Sequence, residues 1–78
     1  MREIPEDIIE DVNNIANELV VYKNEKGLSW TSAYKDVLDK LDMNDRKKDD
    51  RLLNYVITKI TQLGYDIEAV PFKLTKFL

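Results

Sequence analysis

The stretch Arg51–Tyr65, RLLNYVITKITQLGY, decides the architecture of this chain. Leu52, Val56, Ile60 and Leu63 fall on one helical stripe, and Leu53 and Ile57 widen it on one side. This i, i+4, i+8, i+11 spacing belongs to an amphipathic helix that buries a broad face. Thr58, Lys59, Thr61 and Gln62 make the opposite side polar. Gly64 supplies a residue that turns left-handed just past the helix end, and Tyr65 follows where a hydrophobic contact back to Ile60 is expected. The stretch therefore predicts the core helix against which the other elements pack.

Two further helices are predicted upstream. Pro5 suits a first helical position, and Glu6 and Asp7 place carboxylates at the positive end of the helix dipole. The stripe Ile8, Val12, Ile15, Leu19, Tyr22 then alternates steps of four and three, flanked by Ile9, Ala16 and Val20. Lys23, Lys26 and Gly27 fit a helix end, which predicts a helix over about residues 5–26. Ser29 is a natural N-cap for a second helix over 30–41, with Trp30, Ala33, Tyr34, Val37, Leu38 and Leu41 on its apolar face.

The charged run Asp42–Arg51 leaves the start of the third helix between two caps, Asn44 and Asp49. Favourable Arg46–Asp50 and Asp45–Lys48 spacings tilt the expectation to an early start, giving a helix over about 45–63.

Residues 65–78 read two ways. Tyr65, Ile67 and Ala69 alternate with acids as a strand would, but a lone strand has no partner short of a dimer. Pro71 can instead open a short helix carrying Phe72, Leu74, Phe77 and Leu78. The expected fold is all-α: a single domain over 1–78, a compact three-helix bundle closed by a short fourth helix or an extended strap.

Composition narrows the chemistry. The 78 residues contain neither cysteine nor histidine, so the thiol nucleophile, the commonest general base and the disulfide staple are absent. Ser29 and Ser32 sit at a helix start with no base nearby, and the carboxylate pairs Glu6–Asp7 and Asp49–Asp50 are explained by helix starts and solvation. The two glycines stand apart, so no phosphate-cradling loop exists. Asp42-x-Asn44 opens like a calcium loop, but Lys47 stands where the turn glycine belongs and Leu53 where the bidentate Glu belongs. Neither an enzyme nor a metal or cofactor site is expected. No apolar run approaches the ~18 residues of a membrane span, and a cytoplasmic protein is the default expectation.

Charge is uneven. Residues 1–20 hold six acidic side chains and one basic, whereas residues 21–78 hold nine acidic and eleven basic. This asymmetry can steer association without naming a partner. The DNA-binding alternative is a helix-turn-helix-like regulator contacting DNA through Arg46, Lys47, Arg51 and Asn54. Its basic side chains are diluted by Asp45, Asp49 and Asp50, while phosphate binding needs net positive charge on one face. A small regulatory module that binds a protein partner, or a second copy of itself as a homodimer, is the better expectation. Chains this short build marginal cores and often complete them with a partner. The candidate contact residues are Trp30, Tyr34, Phe72, Leu74, Phe77 and Leu78.

Overall fold

A computed structural model describes residues 3–22 and 27–77. Three helices, α1 (Glu6–Val21), α2 (Trp30–Lys40) and α3 (Asp50–Gln62), are followed by two strands, β1 (Tyr65–Ala69) and β2 (Phe72–Lys76). The strands pair antiparallel as a hairpin, with Tyr65 opposite Lys76, Ile67 opposite Leu74 and Ala69 opposite Phe72. The fold is therefore α+β. The expected all-α bundle with a fourth helix or strap is overturned by this two-stranded sheet.

The physical reason is local. Val70 and Pro71 alone separate the strands, a two-residue connection. Read as a helix opener, Pro71 hides the turn, since the common two-residue hairpin signals are Asn-Gly or Asp-Gly. With the reversal in place, the alternating Tyr65–Ile67–Ala69 segment finds its partner seven residues on, within the same chain.

Each helix contributes a buried stripe at the expected spacing. Ile8, Val12, Ile15, Ala16 and Leu19 of α1 are buried, as are Ala33, Tyr34, Val37 and Leu38 of α2 and Leu52, Val56 and Ile60 of α3. Phe72 from the hairpin closes this core. Leu53 and Ile57 are half-buried, and Leu63 lies in the exposed class, so the α3 stripe is one turn shorter than its sequence suggests.

The helix ends show which side chains punctuate the chain. Ser29 caps α2, accepting from the Ser32 N–H at 3.2 Å. Asp49 caps α3, accepting from the Leu52 N–H at 3.0 Å. The early start near residue 45 is corrected: Asn44–Arg46 form a separate 3-10 turn, and α3 begins at Asp50. Arg46 turns to Asp11 and Asp49, which displaces the expected helical pairing with Asp50. At the other boundary, α1 stops at Val21 and Tyr22 is already extended. The remainder of the helix predicted to residue 26 lies outside the described residues.

Helix α2 ends in a Schellman motif. The Met43 N–H donates to the Leu38 carbonyl at 2.8 Å, and the Asp42 N–H donates to Asp39 at 3.2 Å. Asp42 occupies the left-handed position with φ 58°, where glycine is usual. Gly64 fills the corresponding position after α3 with φ 93°.

Three substitutions test this account by denaturant unfolding. Leu52→Ala, at a fully buried site, is expected to cost 2–5 kcal/mol. Asp42→Gly is expected to stabilise by about 0.5–1 kcal/mol, because the left-handed backbone costs an L-residue roughly 1–2 kcal/mol and glycine little. The Tyr34 hydroxyl is buried with no hydrogen-bond partner among the described residues, so Tyr34→Phe is expected to change stability by less than about 1 kcal/mol.

Candidate interaction surface at the C-terminal hairpin

The aromatic side chains expected to meet a partner converge, but largely on one another. Trp30 and Tyr34 lie one turn apart at the start of α2, with ring centroids 5.9 Å apart. Trp30 meets Phe72 at 5.5 Å, and Phe72 meets Tyr22 at 6.3 Å. All are tilted, the geometry that aromatic quadrupoles favour over face-to-face stacking. Tyr34 is 4% exposed and Phe72 6%. These two side chains belong to the core. Burial also pushes the Tyr34 phenol up to about 12, with Asp49 adding to the rise and Arg46 opposing it.

The rest of the predicted set divides by position. Trp30 and Leu74 are half-buried against the core, and Phe77, just beyond β2, is 49% exposed. Leu78 lies outside the described residues. Sequence reasoning missed Val21, 66% exposed at the end of α1, and Val70, exposed at the hairpin turn. Val21 follows the α1 stripe in a region predicted to continue as helix. Two residues past Leu19, it stands about 200° around α1 from the buried stripe and so faces water.

Between the end of α1 and strand β2 runs an open groove of about 260 Å³, lined by Leu19, Val20, Tyr22, Phe72, Lys73 and Leu74. The Tyr22 hydroxyl donates to Asp36 at 2.8 Å, which fixes the ring over this groove's wall. That hydrogen bond, aided by burial and by the Asp36 charge, raises the Tyr22 pKa above the ordinary phenol value.

The cations of the DNA-binding alternative are each matched by carboxylates. Arg46 bridges Asp11 and Asp49, both at 3.1 Å. Lys47 meets Asp39 at 2.7 Å. Arg51 grips Asp7 with two hydrogen bonds of 3.0 and 3.2 Å. Asn54 is exposed on α3, and its carbonyl accepts from the Thr58 hydroxyl. Two of these acids, Asp7 and Asp11, come from α1, so the acidic N-terminal segment supplies part of the charge that faces the basic middle of the chain. Exposed pairs of this kind are worth at most about 1 kcal/mol each. They nevertheless set a carboxylate beside each of these three cations, whereas phosphate binding favours net positive charge on one face. Among the described residues, no three acidic side chains gather in a way that could hold a metal ion.

Comparison with protein-family models, with curated proteins and with solved structures finds no match to this chain.

The same ion pairs make stability depend on acid. The Arg51 hydrogen bonds hold the Asp7 carboxyl below its ordinary value. The Leu52 N–H, followed by Arg46, does the same for Asp49. A carboxylate depressed in the folded state contributes stability above its unfolded pKa of about 4 and loses it as pH falls through the folded value. Unfolding free energy is therefore expected to drop between pH 5 and pH 3. At pH 7, Asp49→Ala should cost about 1 kcal/mol, whereas Asp49→Asn keeps the cap and should cost less. Denaturant melts of both variants at pH 7 and pH 3 check this, with the acid-dependent loss expected to shrink in each.

Proposed function

We propose that this chain is a small non-enzymatic regulatory module of the cytoplasm, binding a protein partner or its own copy through the C-terminal hairpin and the adjoining end of α1. One observation carries the reading. Apolar side chains at Val21, at the end of α1, and Phe77, just past β2, remain in water although the core has closed without them, and an open groove runs between those two elements. Isolated exposed apolar residues are ordinary. Here they accompany an open groove with aromatic walls, the setting in which binding hot spots are found. Among the described residues, no helix is long and apolar enough to cross a membrane.

The surface divides the labour between its residues. Phe72, Tyr34 and Trp30 hold the hairpin on the helices, so the groove exists before any partner arrives. Leu74 and Phe77 supply apolar contact. Pre-formed surfaces of this kind lose little conformational freedom on association.

The experiment uses the full chain as bait, comparing wild type with Phe77→Asp and Val21→Asp. Phe72 is unsuitable as a control because its burial makes Phe72→Asp an unfolding variant. Both surface variants are expected to keep the wild-type circular dichroism and to lose the proteins that the wild type retains, this chain included. In parallel, a gel shift with duplex DNA at 50 and 200 mM salt is expected to show no complex. Identical retained proteins on wild type and both variants would overturn the reading. So would DNA binding that falls steeply with salt and disappears on charge reversal of Arg46, Lys47 and Arg51.

A further inference from the structure

The hairpin register determines which backbone groups of β2 are free to pair outward. The Phe77 N–H donates to the Gly64 carbonyl at 2.8 Å, so Phe77 turns its backbone groups toward the β1 side. Alternation along an antiparallel pair then directs those of Lys73 and Thr75 to β1, and those of Phe72, Leu74 and Lys76 away from it. The Phe72 N–H confirms this direction, because it donates to the Leu28 carbonyl in the segment joining α1 to α2. The outward N–H and C=O groups of Leu74 and Lys76 meet no partner among the described residues. Beside this edge lies the groove lined by Leu19, Val20, Tyr22, Phe72, Lys73 and Leu74.

We propose that β2 pairs antiparallel with β2 of a second copy of this chain, about a two-fold axis at Thr75, placing Phe77 of each copy opposite Lys73 of the other. The inference rests on the reading of this surface as an interaction site and names its partner.

Three observations select the second copy and the register. With the axis at Thr75, Leu74 of one copy opposes Lys76 of the other, and all four free outward groups on each side are used in inter-chain hydrogen bonds. Moving the axis to Leu74 would demand the Phe72 N–H, which Leu28 already occupies. Moving it to Lys76 would set two lysines directly opposite each other, which is unfavourable. Of these three registers, only the one centred on Thr75 satisfies both limits. It also brings Thr75 against its symmetry mate, a favourable cross-strand pair.

The side chains agree with the backbone. In this register Lys73 of one copy stands opposite Phe77 of the other. Lys73 is exposed on the solvent face of β2, and Phe77 is the half-exposed aromatic ring at the end of the strand. Both side chains stand on the solvent face of the sheet, so the ring would lie along the lysine stem with the ammonium near its face. A foreign strand would have to bring its own aromatic residue in the same spacing. This chain carries it already. Pairing converts two two-stranded hairpins, marginal by themselves, into a continuous four-stranded sheet.

The absence of cysteine makes the register directly testable. In the proposed dimer, the Cβ atoms of Thr75 and its mate are about 4.5–5.5 Å apart in a non-hydrogen-bonded pair, close to the reach of a disulfide. Lys73 and its mate are about 13 Å apart, beyond it. Under mild oxidation at high protein concentration, Thr75→Cys is expected to cross-link at least tenfold faster than Lys73→Cys. Light scattering across a concentration series is expected to show the mass rising from 9.2 kDa toward twice that value.

Lys76→Pro removes an outward N–H without touching the hairpin ladder, which edge strands tolerate. It should remain monomeric at concentrations where wild type is dimeric, with unchanged circular dichroism, and Phe77→Asp should do the same. A wild type that stays monomeric throughout overturns the proposal, and Phe77-dependent retention of another protein would then leave the broader interaction reading standing. A dimer in which Thr75→Cys cross-links no faster than Lys73→Cys, or that survives Lys76→Pro, also overturns it, by placing self-association on another face.

Discussion

Burial of the α3 stripe is the constraint on which the rest of this structure depends. Leu52, Val56 and Ile60 are fully excluded from water, and each requires apolar neighbours on more than one side. Helix α1 supplies Ile8, Val12, Ile15 and Leu19, and α2 supplies Val37 and Leu38. Burying an aliphatic side chain of this size stabilises by about 1.5–3 kcal/mol, which sets the scale against the entropy of ordering so short a chain. Three helices of 11 to 16 residues leave part of that core uncovered. The hairpin provides the missing cover through Phe72, held between Tyr22 and Trp30.

The way the hairpin covers the core also explains its exposed features. A strand directs successive side chains to opposite faces, so a segment that buries Phe72 and half-buries Leu74 must present Lys73 and Thr75 to solvent. Its backbone obeys a matching alternation, leaving outward-facing groups at every second residue. Covering the helical core with two strands thus creates an edge as an unavoidable consequence. Natural edges are commonly blunted by lysine, proline or short length. This hairpin has five-residue strands, Lys73 and Lys76 on β2, and Pro71 at the turn.

Electrostatics tie the ends of the helices together across the sequence. Asp7 and Asp11 of α1 reach Arg51 and Arg46, which lie 44 and 35 residues away. Glu18 meets Lys40 at 2.7 Å. The acidic first helix and the basic middle of the chain are therefore complementary parts of one molecule.

Much of the architecture was legible in the residues themselves. The three stripes, the Ser29 cap, the Gly64 stop and the buried identities within α2 follow from periodicity and capping, which depend on neighbours within one or two turns. The α3 cap was legible only as a choice between Asn44 and Asp49. Arg46 helped decide it by pairing with a residue on another helix. The hairpin needed tertiary structure for a stronger reason. Strand pairing is a relation between two segments, and Val70-Pro71 carries no common turn signal to announce it. The same holds for the surface: Phe72 and Phe77 are alike in sequence, both apolar and five residues apart. Only the fold places one ring inside the core and the other in water, because a side chain's burial is set by what the rest of the chain brings to meet it.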